Sequence, residues 1–213
     1  MLQAKRKFIS PDEYFTAEES AECKSEYYHG EVFAMTGASV NHNLITSNVI
    51  ISLGNSLQNS SCLIFPSDIK VQMDKDFHYA YPDVSLVCGD IEYAENRNDI
   101  IANPSVIFEI LSESTKDYDR GSKFTAYRNI SSLKDYILID QYSIFVEHFF
   151  KQDENEWGLK IFKNISDQFH IRSIDAVPLA SVYKNIIVNS PLSVATDNGL
   201  QTTNNGHDYD NHT

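Results

Sequence analysis

Apolar positions along this chain change period several times, and each change marks a predicted element. Ser10-Pro11-Asp12-Glu13 reads as a helix start, with Ser10 as N-cap, Pro11 at the first helical position and Glu13 closing a capping box. The short helix should run to about Thr16. Glu26-Tyr27-Tyr28, a His29-Gly30 turn and the run from Glu31 to Met35 predict a β-hairpin. Leu44, Ile45, Val49, Leu53 and Leu57 then recur at helical spacing, which predicts a long helix over about 41–57 with Asn41 as its cap.

The middle of the chain alternates strands and helices. Cys62 to Phe65 is a short apolar strand, and Ile69, Val71 and Met73 alternate with polar residues as a half-buried strand does. Tyr79 to Cys88 reads as one strand with Pro82 inside it, which implies an edge position or a bulge. Residues 89–103 are a polar connection. Val106 to Leu111 is a nearly continuous apolar run, the signature of a strand covered on both faces. Ser114, Thr115 and Asp117 open a helix expected to reach about Arg128. Three further strands are predicted at Tyr136–Asp140, Ile144–Phe150 and near Leu159–Phe162. These elements make an α/β domain with a mixed central sheet. From about Ser190 the periodicity is lost, and residues 190–213 read as a polar, disordered tail behind a domain spanning 1–189.

Two carboxylates interrupt apolar strands and need an explanation. Glu109 sits amid Val106, Ile107, Phe108, Ile110 and Leu111, and an ionised carboxylate buried alone costs several kcal/mol. Asp83 follows Pro82 and raises the same question. Magnesium prefers one or two protein carboxylates, with water and phosphate oxygens completing its shell. Asp83 and Glu109 on neighbouring strands supply such a pair, and the Ile110 carbonyl could add a third ligand. Lys123, one helix further on, would stabilise developing charge on a phosphate or orient the nucleophile. The plain reading of the same residues is structural. Asp83 would cap a turn, Glu109 would pair with a buried base, and Asp119 with Lys123 would form an i,i+4 helix pair of a few tenths of a kcal/mol. His42, at a helix start, suits capping or packing better than catalysis. Tyr127, one turn after Lys123, suits core filling.

Composition narrows the function classes. The chain has 213 residues, enough for one well-packed domain, with 42% hydrophobic and 12% aromatic content. Its net charge of -13 argues against a simple electrostatic nucleic-acid binder, whose affinity comes from phosphate neutralisation. A metal ion can supply positive charge locally, so the acidity does not exclude a nuclease. Cys23, Cys62 and Cys88 form no CxxC or Cys/His cluster, and their odd number and wide spacing suggest a reduced, cytoplasmic compartment. No apolar run approaches the roughly 18 residues of a membrane span.

The order and spacing of several short segments carry a resemblance. They are Glu26 to Val32, Ala34-Met35, His42, Pro66 to Val71, Tyr81-Pro82-Asp83-Val84, Pro104 to Ser114, Asp119 with Lys123, Tyr127, Tyr136 to Asp140, Ser173-Ile174 and Val182-Tyr183. Over about residues 10–188 the chain resembles the Uma-type restriction endonuclease family, a branch of the PD-(D/E)XK nuclease superfamily. The resemblance implies a restriction-endonuclease-like fold, a mixed central β-sheet flanked by α-helices, with a metal-dependent DNA-cleaving site. Asp83 matches the motif aspartate and Glu109 the motif glutamate. The superfamily pattern places a lysine two residues after the glutamate, where this chain has Leu111. The lysine of this family lies on the following helix, at Lys123. Glu26 matches an acidic residue from an N-terminal element and is a further candidate metal ligand.

The expectation is therefore a Mg2+-dependent DNA endonuclease, with Mn2+ as an alternative ion. Asp83, Glu109, Glu26 and the Ile110 carbonyl would hold the metal, and Lys123 would act on the transition state. A homodimer would place two sites on a duplex. One rival is a catalytically silent nucleic-acid-binding or assembly protein that keeps the fold. Another is a hydrolase of RNA or a small nucleotide.

Overall fold

The computed structural model describes residues 8–187 apart from 76, 95–96 and 173. The tail expected at 190–213 lies outside the described residues. The chain opens with helix α1 (Pro11–Glu18), which starts with the predicted capping box: Glu13 N–H donates to Ser10 Oγ, and Ser10 N–H donates to the Glu13 carboxylate. Strands β1 (Ser25–Tyr28) and β2 (Glu31–Ala34) form the predicted hairpin. Its turn places His29 at φ 46° and Gly30 at φ 84°. A side chain at Gly30 would be strained there and would also collide with the Phe8 ring.

Helix α2 (Val40–Ser56) buries Ile45, Val49 and Leu53, the stripe read from the sequence. Each such side chain contributes about 2 kcal/mol when fully removed from water. The cap is Ser39, whose Oγ accepts from His42 N–H. Asn41, expected in that role, instead donates to the carbonyls of Gln141 and Ile187. Both residues are good caps two positions apart, so the choice between them was decided by the tertiary contacts of Asn41.

Strands β3 (Cys62–Pro66), β4 (Lys70–Asp74), β5 (His78–Ala80) and β6 (Val84–Cys88) follow. The single strand expected over Tyr79–Cys88 is therefore two. Pro82 lacks a backbone N–H and cannot continue a ladder. The chain leaves one sheet at Ala80 and enters the other at Val84. Neither piece is an edge strand: β5 lies between β1 and β4, and β6 lies between β3 and its other neighbour, described next. The connection at 89–103 contains one short strand, β7 (Ile100–Ile101), parallel to β4.

The central strand β8 (Val106–Leu111) is buried throughout, as its apolar run requires. Helix α3 (Lys116–Tyr118), a π-helical turn at Asp119–Lys123 and helix α4 (Phe124–Tyr127) then form one continuous helical segment. The expected helix is present, but its middle is wound wide around Gly121. Strands β9 (Asp135–Asp140), β10 (Val146–Asp153) and β11 (Glu156–Phe162) complete a six-stranded sheet in the order β11-β10-β9-β8-β6-β3. Only β8 and β9 in it are parallel. The five-stranded sheet runs β2-β1-β5-β4-β7. A hairpin of β12 (Gln168–Ile171) and β13 (Ile174–Pro178), then helix α5 (Leu179–Val182), follow. The sequence reading assigned none of these last three elements.

The layers follow from side-chain alternation along β8. Val106, Phe108 and Ile110 join α2, α5 and the β12–β13 hairpin in one core. Ile107 and Leu111 join α4 together with Val71, Met73 and Ala80 of the five-stranded sheet in a second. Glu109 shares the face of Ile107 and Leu111, so it points between the two sheets. Tyr14, Tyr27, Tyr79 and Ile100 close a third cluster under α1. Among the described residues no helix is long and apolar enough to cross a membrane.

Cys62 and Cys88 face each other in the β3–β6 register and are joined by a disulfide, and Cys23 is free. The sequence reading had inferred a reduced set from their spacing. Strand pairing across 26 residues brings the two together, which spacing does not show.

Candidate active site

Lys123 is the hub of the site. The π-turn carries it inward, where it is 5% exposed, and its Nζ meets three carboxylates. Glu109 Oε1 is at 2.9 Å, Glu26 Oε1 at 3.0 Å and Asp119 Oδ1 at 3.5 Å. Glu109 comes from the middle of β8, Glu26 from β1, and Asp119 from the first position of the same π-turn. Two sheets and one helical segment thus converge on one ammonium. Tyr127, one turn on, donates its hydroxyl to Glu109 Oε1 at 3.2 Å. Tyr136 donates to the Asp119 carbonyl at 3.0 Å and pins the start of the π-turn.

Asp83 reaches the site from the break made by Pro82. Its Oδ2 accepts Ile110 N–H at 2.7 Å. The antiparallel β6–β8 pairing runs through Val84 opposite Phe108, so beyond Val84 a side-chain oxygen takes the place of a strand carbonyl. His42 Nε2 lies 3.2 Å from the same oxygen. Because Oδ2 takes both contacts, Oδ1 is the oxygen left for other partners. His42 Nδ1 is buried without a hydrogen-bond partner among the described residues.

Behind Glu26 stands a second pair. His78 Nε2 is 3.2 Å from Tyr118 Oη. Burial pushes the Tyr118 phenol up from its ordinary pKa, and the Glu26 charge and hydrogen bond add to this. A phenol facing a carboxylate donates to it, so its oxygen accepts from His78 Nε2–H. Burial drives the His78 imidazole down to about 4, so this ring is neutral near pH 7.

The electrostatics are those of surplus negative charge. Burial raises the Glu109 carboxyl well above the usual range; Lys123 opposes this, while Asp119, Asp83 and Glu26 add to it. Burial likewise raises Asp119. Burial alone would lower Lys123, but Glu109 and then Glu26 outweigh it and hold the ammonium well above an ordinary lysine. Burial and Glu109 raise Tyr127, which stays a hydrogen-bond donor.

The sequence-named residues are placed as follows. Glu26, Glu109 and Lys123 are in direct contact, and Asp83 joins them through the N–H of Ile110. Asp119 and Lys123 do form the i,i+4 pair of the plain reading, but buried rather than on a solvated face. Tyr127, which the sequence assigned to core filling, hydrogen-bonds Glu109, and His42, assigned to capping or packing, lies against the Asp83 carboxylate. Tyr118 and His78 were not singled out. Among the described residues no group of three or more His, Cys, Asp or Glu side chains is placed to hold a metal ion.

Residues 11–178 match the family described as "Uma2: Putative restriction endonuclease". The chain belongs to this family. Two curated relatives come from Synechocystis sp. "Uncharacterized protein sll1609" is 36% identical over 159 residues, 75% of this chain and 90% of that protein. "Uncharacterized protein slr1290" is 35% identical over 166 residues, 78% of this chain and 86% of that protein. The fold is similar to the crystal structure of a "putative nuclease belonging to DUF820" from Anabaena variabilis, with a TM-score of 0.67 at 18% identity. That match covers 82% of this chain and 97% of the other, and at such identity it speaks to the fold. The mixed α/β architecture expected from the sequence is therefore the one this Uma2 chain has.

Proposed function

We propose that this chain is a divalent-cation-dependent endonuclease that hydrolyses DNA phosphodiester bonds at the Asp83–Glu109–Lys123 site. The observation that carries the reading is the buried Lys123 ammonium shared by Glu109, Glu26 and Asp119 with Asp83 beside them. Three carboxylates share one ammonium, and Asp83 stands beside them. A divalent cation relieves that surplus, and the donor set is all oxygen, which suits Mg2+ or Mn2+. Magnesium needs only one or two protein carboxylates and no closed cage. Asp83 Oδ1 and Glu109 would hold it, with the Ile110 carbonyl and Glu26 as further ligands. Bound there, the ion supplies positive charge for the scissile phosphate and acidifies water.

The chain's own groups do the rest. Ile110 N–H and His42 orient Asp83, and Tyr127 orients Glu109. Hydrogen-bonded ligands of this kind hold a metal site in register. Lys123 makes its loosest contact with Asp119 at 3.5 Å. That proton is the one it can turn to a phosphate oxygen as charge develops there.

A second reading has support too. Lys123 is engaged by carboxylates on every side, and the net charge of -13 disfavours duplex contact. Both suit a silent nucleic-acid-binding or assembly protein. Cleavage of supercoiled plasmid with Mg2+ or Mn2+ separates the two. Nicking by the wild type that is lost in Glu109→Ala and Lys123→Ala supports the nuclease. Absence of nicking together with absence of magnesium binding overturns it.

A further inference from the structure

Two exposed aromatic rings flank the buried carboxylate of Glu26. In the β1–β2 register Phe33 is directly opposite Glu26, so the two side chains share a face of the sheet and lie side by side. Tyr28, two residues along β1, is on that face as well. Glu26 is buried, yet Phe33 is 46% and Tyr28 38% exposed. β2 is the outer strand of its sheet, so this rim faces solvent.

Tyr28 is held in place from behind. Its ring meets His78 edge-on at 4.7 Å between centroids, and His29 at 4.5 Å on another side. His29 in turn stacks on Phe77 at 5.4 Å. The two turns that carry these rings are tied by His29 N–H donating to the Phe77 carbonyl at 2.8 Å. His29 sits at φ 46°, an uncommon region for a residue with a side chain, and this presents its ring to Phe77. The result is an aromatic ledge running from Phe77 through His29 and Tyr28, beside Glu26.

We propose that this ledge stacks unpaired bases, and that the substrate enters as single-stranded DNA with a base against Phe33 and Tyr28. The proposal rests on the nuclease reading and deepens it. A base in a closed duplex has both faces covered, whereas an unpaired base offers a face to an aromatic ring. Stacking on aromatic rings is tolerant of sequence and contributes substantially to single-strand binding. The His78–Tyr118–Glu26 contacts couple the ledge to the site, so a base seated on Tyr28 positions its neighbouring phosphate toward Lys123.

The test is binding of a mixed-sequence oligonucleotide, single-stranded and as a blunt duplex, in calcium, which takes the same oxygen ligands. Wild-type protein should bind the single strand at least tenfold more tightly. Phe33→Ala and Tyr28→Ala should each lose about tenfold in single-strand affinity. Phe33→Leu, which keeps apolar area without the ring, should lose nearly as much. A 2-aminopurine base in the strand should be quenched by wild-type protein and not by Phe33→Leu. Equal affinity for duplex, unchanged binding by the variants or an unquenched probe overturns the proposal. Plasmid or oligonucleotide cleavage is scored separately. Single-strand binding with these losses but no cleavage in any metal removes the nuclease reading and leaves the ledge. Cleavage that Phe33→Leu and Tyr28→Ala leave unchanged removes the ledge alone.

Discussion

Lys123 Nζ lies 2.9 Å from Glu109 Oε1, although one residue sits on a π-turn and the other in the middle of the most buried strand. The pair joins the helical segment to the central sheet at a place where neither residue could be left alone. Wide turns of this kind are found mostly at functional sites. Here the turn lets Asp119 and Lys123 both point inward and lets Tyr127 reach the same carboxylate.

Lys123→Ala should therefore cost stability as well as activity. It leaves Glu26, Glu109 and Asp119 buried without a cation, and removing one partner of a buried pair costs about 3–5 kcal/mol. The unfolding midpoint in urea should fall accordingly. A variant as stable as wild type would show that the three carboxyls are already protonated and that the ammonium is not what holds them.

Glu109→Gln should separate stability from function. The amide keeps an acceptor for Tyr127 and for Lys123 while removing one charge from a site with too many. Stability in the absence of metal should match or exceed wild type, and plasmid nicking should vanish. Magnesium should raise the melting temperature of wild type by mass action and leave Glu109→Gln unmoved. Equal magnesium stabilisation of both proteins would place the ion elsewhere.

The fold was legible in the sequence wherever one period ruled. The capping box at Ser10, the His29-Gly30 hairpin, the α2 stripe and the apolar run of β8 all fell where local pattern put them. Pro82 was read as an edge position or a bulge within one strand because an isolated proline does not reveal that the chain changes sheets there. The β12–β13 hairpin and α5 went unassigned because they are short and gain their order from packing on α2 and β8. In the site, Glu109 announced itself as a charge inside an apolar run. Lys123 was named with Asp119 from their spacing, and Glu26 needed the family resemblance, since its proximity depends on two sheets meeting. Tyr118 and His78 went unnamed because a half-buried tyrosine and a buried histidine are both ordinary in a folded domain.

The Cys62–Cys88 link should be measurable as stability. It closes a loop of 26 residues, for which the loss of unfolded-state entropy predicts about 2–4 kcal/mol. Dithiothreitol should lower the urea midpoint of wild type by a corresponding amount and leave Cys62→Ser/Cys88→Ser unchanged. Intact mass after thiol alkylation should show one reactive cysteine, Cys23, before reduction and three after. Three reactive thiols in freshly purified protein would show that the bond does not form.

Acid should reveal His78. Its folded pKa is driven from 6.5 down to about 4 by burial, with Glu26 partly opposing and Lys123 and His29 adding to the shift. A depressed value means that the unfolded chain takes up a proton before the folded one does. The stability His78 contributes is thus complete above pH 6.5 and is lost as the pH falls from there through about 4. A shift of this size corresponds to about 3 kcal/mol over that window. Glu109 and Asp119 act in the opposite sense. Their folded values are raised, so their contribution is present in acid and is lost as the pH rises above the ordinary carboxylate range. The difference between wild type and His78→Gln isolates the histidine, because the amide does not titrate while its side chain can still donate to Tyr118. Urea midpoints should diverge in slope between pH 6.5 and 4, with wild type losing stability faster. Parallel slopes would mean that His78 is protonated in the folded protein, with its bare Nδ1 finding a proton and a partner.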